Sequence, residues 1–228
     1  MEISQFREFI NSNLYLLNEY LEDIEGRATI PIQSSLDWFE TSVHFFKQYK
    51  INKNCSPDVY SFLSFAKLIA IDNVVESVIT LKKSLKIEKL KTKKELVFLK
   101  SLDIFEGNIL NDKSDYQHFK NLRAIFGAHT VDIKLLIDNI KVPYYAQWSS
   151  RLVGEADISV LIQSTEIGRD RIRVDLFFDK LEKIITKAES ELDEIVEFLK
   201  NNENLNGRLN LQCFERREIT EFKIDYIK

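Results

Sequence analysis

Proline and glycine are scarce, at 3 and 6 of 228 residues. That scarcity excludes collagen-like repeats, low-complexity linkers and most turn-rich all-β architectures. Only Cys55 and Cys213 are present, 158 positions apart, so no metal-ligand spacing arises and a reduced chain is expected rather than a disulfide. The three histidines, His44, His118 and His129, form no i,i+4 pair. HExxH, CxxC and acidic calcium-loop patterns are missing, so neither a protein-held metal nor another cofactor is expected. No glycine-rich phosphate loop and no GxSxG elbow occur, which removes the commonest nucleotide-binding and hydrolase signatures. Long apolar runs are lacking too. The most apolar stretch, residues 60–79, is interrupted by Lys67, Asp72 and Glu76, so no membrane span is expected. MEISQFREFI shows no basic-then-apolar leader pattern, and the cytoplasm is the expected location.

What is present is apolar and charged. With 44% hydrophobic residues and 26 aromatics (16 Phe, 8 Tyr, 2 Trp), the chain has ample material for a core. The net charge of −4 hides local poles. Residues 82–100 carry eight lysines against Glu88 and Glu95, and residues 179–203 hold eight acids against four lysines. Lys91, Lys93 and Lys94 lie in the basic run and could attract a nucleic-acid backbone, although such a run also reads as a solvated face.

Helical periodicity dominates the first 142 residues. One amphipathic helix is expected over residues 3–25, closed by Gly26, with ATIPIQ as a connector and a second helix from Ser34 or Ser35 to Lys50. Ser56, Pro57 and Asp58 make a strong helix start, and that helix is expected to reach Lys86, with a break near residues 67–72. Thr92 and Glu95 suggest a capped helix through Leu102, and Ser114 or Asp115 opens another that carries His118, Arg123 and His129. After Pro143, ADISVLIQST and RIRVDLFF flank EIGRD as a β-hairpin, and a long amphipathic helix follows over residues 179–201. The expected fold is mainly α: a helical bundle over 1–142, with a hairpin-and-helix extension over 143–228.

The chemistry concentrates in FKNLRAIFGAHTVDI, residues 119–133, where Arg123 precedes His129 by six positions. On a continuous α-helix six residues turn ~600° and rise ~9 Å, leaving the two side chains ~120° apart. Two copies about a two-fold axis could bring both pairs into one cleft, and the small Gly127 and Ala128 would permit close approach. Asp72 and Glu76 share a helix face at i,i+4; either could orient an imidazole, pair with Arg123, or bridge to a lysine. His118 is expected to face solvent or assist at a cleft rim. His44, within VHFF, reads as a core-edge histidine. Trp148, Tyr144 and Tyr145 are expected to pack rather than stack on bases.

The Arg123–His129 pair within a helical region, about residues 35–140, resembles the HEPN superfamily (higher eukaryotes and prokaryotes nucleotide-binding domains). Ribonucleases of that family carry R-x(4–6)-H late in a helical bundle. The resemblance implies a homodimeric, metal-independent endoribonuclease with Arg123 and His129 catalytic. His118, Asp72 and Glu76 stand as supporting candidates. It also implies RNA as substrate, a toxin or abortive-infection role, and an antitoxin or regulatory partner. Family members often have a polar residue directly after the arginine, where this chain has Ala124. The alternatives are a non-catalytic HEPN-like module that binds nucleotides or a protein, and a helical scaffold assembling through its C-terminal helix.

Overall fold

The structure, a computed structural model, describes residues 1–22, 27–52, 54–87, 99–105, 112–128, 133–137, 140–148, 156–164 and 171–215. For residues 127, 128, 133–137, 140–148 and 164 it describes the backbone alone. The architecture is mainly helical. Helices α1 (Ile3–Ser12), α2 (Leu14–Tyr20), α3 (Thr29–Gln48), α4 (Pro57–Ser84) and α5 (Asp115–Arg123) come first. A π-helical turn, Ala124–Ala128, then leads to strands β1 (Ile133–Ile137), β2 (Ile140–Trp148), β3 (Ile158–Ser164) and β4 (Ile172–Leu176), followed by α6 (Phe178–Lys200) and α7 (Gln212–Glu215).

The amphipathic segment over residues 3–25 is divided at Asn13. Its side-chain amide donates to the Phe9 carbonyl at 2.8 Å and to the Asn210 carbonyl at 3.0 Å. Its oxygen accepts from the Asn210 N–H, which pins the corner to the C-terminal segment. Helix α3 begins inside ATIPIQ rather than after it, because Pro31 occupies the first turn, where no intrahelical N–H is needed. The Ser56 hydroxyl caps α4 as expected, accepting from Val59 N–H at 3.5 Å. Helix α4 then runs without the expected break, since Lys67 and Asp72 both find partners that keep the helix intact. The helix expected over residues 92–102 lies mostly outside the described residues.

Helices α3 and α4 pack as an antiparallel pair through Ile32, Leu36, Phe39, Val43 and Phe46 on one side and Leu68, Ile71, Val75 and Val78 on the other. Helix α6 packs on α4, with Leu181, Ile184, Ile185, Ala188, Leu192, Ile195 and Leu199 all buried. Its apolar stripe therefore faces the chain's own core, not an assembly partner.

The β region is larger than the hairpin expected from the sequence. It is a four-stranded antiparallel meander in the order β1-β2-β3-β4. In it Ile133 pairs with Tyr144, Tyr144 with Ser164, and Ile158 with Leu176. Strands β3 and β4 match the two segments read as strands. The expected helical bundle over 1–142 includes residues 133–137, yet β1 occupies Ile133–Ile137. IKLLI is a short apolar run whose periodicity does not separate a buried strand from a helical turn. Strand β2 continues across positions 142 and 143. Pro143 is compatible with it because the pairing with β3 covers only Tyr144 to Trp148, so at Pro143 β1 is the only strand paired among the described residues and no donor is required on the β3 side. Ile158, Val160, Ile162, Val174 and Leu176 join the same buried cluster as the helices.

Candidate functional site

Helix α5 organises the site. Ser114 caps it, accepting from Gln117 N–H at 3.2 Å. Asp115, fully buried, turns back and accepts the backbone N–H groups of Asp103, Ile104 and Phe105 at 3.0–3.2 Å. This carboxylate fastens the 101–105 segment to the start of α5, and Phe119 and Leu122 bury the inner face.

The outer face carries charge. Arg123 ends α5 and donates from Nη1 to Asp72 Oδ2 on α4. Lys120, one turn earlier, places Nζ at 3.4 Å from Glu76 Oε1 and 4.0 Å from Asp72 Oδ1. Of the partners the sequence left open, the fold gives Arg123 to Asp72 and Lys120 to Glu76. Lys120 was not singled out, although its position three residues before Arg123 puts it on the same helix face. Its ammonium also stands 5.3 Å from the Tyr116 ring. The Arg123 side chain is 34% exposed and the Asp72 side chain 16%. The guanidinium is thus held from one side, and among the described residues its other donors have no protein acceptor.

His118 is not at a rim. It is buried, with Nδ1 at 2.8 Å from Asp112 Oδ2 and its ring centroid 4.6 Å from that of Phe105. Asn121 donates to the other Asp112 oxygen at 2.6 Å, and Gln117 donates to Asn121. Asp112 orients the imidazole from the segment before α5. His118 faces inward because its position falls beside Phe119 and Leu122 on the packed side of a short helix. His44, read as a core-edge residue, is exposed; Val43 and Phe46 take the buried positions around it.

His129 lies outside the described residues, as do Lys91, Lys93 and Lys94. What changes is the path toward His129. A π-helical turn follows Arg123 directly, and its i→i+5 bonding rotates each residue less than the ~100° of an α-helix. The separation of ~120° reckoned for an uninterrupted α-helix therefore does not apply beyond Arg123. Single π-helical turns are rare and concentrate at functional sites. Lys82, within the basic run, is buried against Glu191 of α6 rather than offered to a ligand.

Beside the charged cluster is a groove of about 260 Å³ between α3 and α4. Glu76 belongs to both, and Trp38, more than half exposed, stands on its α3 wall. Trp38 went unremarked in the sequence because an aromatic in an amphipathic helix ordinarily belongs to the core. Among the described residues no three His, Cys, Asp or Glu side chains converge as a metal site would require, and no helix is long and apolar enough to cross a membrane. No family model, no curated protein and no solved structure matches the chain.

Proposed function

We propose that this chain is a metal-independent endoribonuclease of HEPN-like type, acting as a homodimer in the cytoplasm. The observation that carries the reading is Arg123. It is a partly exposed arginine at the end of α5, anchored by Asp72, with guanidinium donors that have no other acceptor among the described residues and His129 six residues further along the chain. An arginine so held can receive a phosphate through planar donors and stabilise the added charge of a phosphorane-like transition state. His129, in this reading, accepts the 2′-OH proton or protonates the leaving 5′-oxygen, giving a 2′,3′-cyclic phosphate. DNA lacks that nucleophile.

The homodimer has a face to form on. Val59, Phe62 and Ile69 stand exposed along α4, Phe62 at 71%, and the next turns of the same helix carry Asp72 and Glu76. Association through this stripe would bring the two Arg123 regions toward each other. A toxin or abortive-infection role, with an antitoxin or regulatory partner as restraint, rests on the resemblance alone.

One observation favours a second reading, a non-catalytic module that binds nucleotides or a protein. Asp72 already satisfies Arg123 in part, as in a structural ion pair. The deciding experiment incubates wild type, Arg123→Ala and His129→Ala with RNA in EDTA and analyses product termini. Cyclic-phosphate products from wild type alone support the nuclease. Cleavage undiminished in His129→Ala removes that residue from the mechanism, and activity abolished by EDTA points to a metal. Light scattering of wild type and Phe62→Glu tests the dimer: a wild type that is monomeric throughout the micromolar range overturns it.

A further inference from the structure

We propose that the groove between α3 and α4 is a base-binding subsite that takes a nucleobase bearing an exocyclic amino group, and places the attached 3′-phosphate at Arg123. The inference deepens the RNA-cleaving reading and rests on it for the position of the phosphate. The groove is about 260 Å³ and is lined by Pro31 and Trp38 of α3 and by Asn73, Glu76, Ser77 and Thr80 of α4, among others. Three properties of this lining select a planar, polar, aromatic ligand.

First, Trp38 is a large aromatic side chain that the fold leaves 57% exposed at the groove wall. Base–aromatic stacking is tolerant of base identity because every base has a π-face, so Trp38 would supply affinity without selectivity. Second, the α4 wall is polar where a core-facing wall would be apolar. Asn73 offers an amide, Thr80 a hydroxyl and Glu76 a carboxylate. Glu76 Oε1 faces Lys120, while its second oxygen has no partner among the described residues. A carboxylate accepts hydrogen bonds and donates none when ionised, so it suits the amino groups of adenine, cytosine or guanine, whereas uracil offers it only N3–H, flanked by two carbonyl oxygens that repel it. Third, the groove adjoins cationic groups. Asp72 lies one helical turn from Glu76, ~6 Å of axial rise, and it holds Arg123. Lys120 spans the two carboxylates. A base against Trp38 and Glu76 thus has Arg123 within reach of the same nucleotide's phosphate.

The test is equilibrium dialysis of the full chain against 3′-AMP, 3′-CMP and 3′-UMP, with the Trp38→Ala and Glu76→Gln variants. Both substitutions alter partly exposed side chains, and far-UV circular dichroism verifies that each variant folds. The expected result is binding of 3′-AMP and 3′-CMP at least about fivefold tighter than 3′-UMP. Trp38→Ala weakens all three by roughly tenfold, and Glu76→Gln removes the discrimination, because an amide both donates and accepts. Equal binding of 3′-UMP by wild type, or a preference that survives Glu76→Gln, overturns the proposal. Failure of the two readings is distinguishable. Base-selective binding without RNA cleavage would end the nuclease and leave the subsite standing. His129-dependent cleavage with no Trp38-dependent mononucleotide binding would do the reverse.

Discussion

Arg123 and Asp72 are 51 positions apart in sequence, yet the guanidinium of α5 donates directly to the carboxylate of α4. The pair joins the segment bearing the R-x(4–6)-H pattern to the longest helix of the fold, and both partners are only partly exposed. A double-mutant cycle measures the link. Arg123→Ala leaves a half-buried carboxylate without its strongest donor, Asp72→Ala leaves the arginine unanchored, and the double variant removes both. The expected coupling in chemical denaturation is about 1–2 kcal/mol, above the usual exposed pair and below a fully buried one. Strict additivity would mean that the pair contributes nothing to holding α5 on α4.

His118 and His129 are expected to separate by phenotype. His118 is enclosed, with its ring on Phe105 and Nδ1 on Asp112. Its replacement by Ala removes packing and takes the imidazole partner away from the Asp112 carboxylate. The expected outcome for His118→Ala is a loss of about 2–4 kcal/mol of stability, with RNA cleavage per folded molecule retained. His129→Ala is expected to show the opposite pattern. A His118→Ala variant that stays stable and loses all cleavage would give the imidazole a chemical role instead.

How much of this was legible in the sequence varies with the length over which the signal extends. Helix α6 was readable because seven apolar positions recur at helical spacing, and all seven are buried. The start of α4 was readable because Ser56, Pro57 and Asp58 each act locally. The strand β1 was not, since five residues of IKLLI contain no resolvable period. The pairing of Asp72 with Arg123 could be entertained only as one option among several, because long-range partners leave no trace in local spacing. The inward turn of His118 depends on Phe105 and Asp112, which meet its ring from before α5, and neither residue type announces that contact in the sequence.

The ion pair between Lys82 and Glu191 gives a prediction that the basic run conceals. Both side chains are more than nine-tenths buried, and they join the end of α4 to the middle of α6. Removing one partner takes the opposite charge away from the other inside the core. Glu191→Ala is expected to cost about 3–5 kcal/mol, whereas the double replacement Lys82→Met with Glu191→Leu is expected to lie near wild type. Equilibrium urea denaturation checks both. Equal losses for the single and double variants would show that the site needs charge for a reason other than mutual neutralisation.

Lys86 ends α4 in an unexpected backbone conformation. Its φ is +56°, in the left-handed region that favours glycine. The surrounding bonds form a Schellman closure, with Ile87 N–H donating to the Lys82 carbonyl at 2.9 Å and Lys86 N–H to the Lys83 carbonyl at 3.1 Å. A side chain at this position is strained, so Lys86→Gly is expected to stabilise the chain by about 1 kcal/mol, read as a higher thermal midpoint. A lower midpoint would indicate that the Lys86 Nζ contact to the Leu21 carbonyl outweighs the strain.

Lys67 offers a pH-dependent measure of how the core is joined. Its ammonium donates to the Phe46 carbonyl at 2.8 Å and stands 4.3 Å from the Phe46 ring and 5.1 Å from the Phe178 ring. Burial lowers its pKa below the ordinary 10.5, against the opposing charges of Asp157 and Glu182. The folded state therefore holds the proton less tightly than the unfolded state does. Below the folded pKa the destabilisation is full and constant; between that value and 10.5 the unfolded chain binds more protons, so stability rises with pH. Tyr60 runs the other way, since burial and then Asp157 raise its phenol above 10.0, and that contribution is lost as pH climbs past this value. A non-titrating reference isolates the lysine. The stability of wild type relative to Lys67→Met, measured by denaturation at stepped pH, is expected to shift in favour of wild type as pH rises toward 10.5, with Tyr60 common to both proteins. A difference that stays flat across that range would mean that the ammonium is solvated well enough to keep its ordinary affinity for the proton.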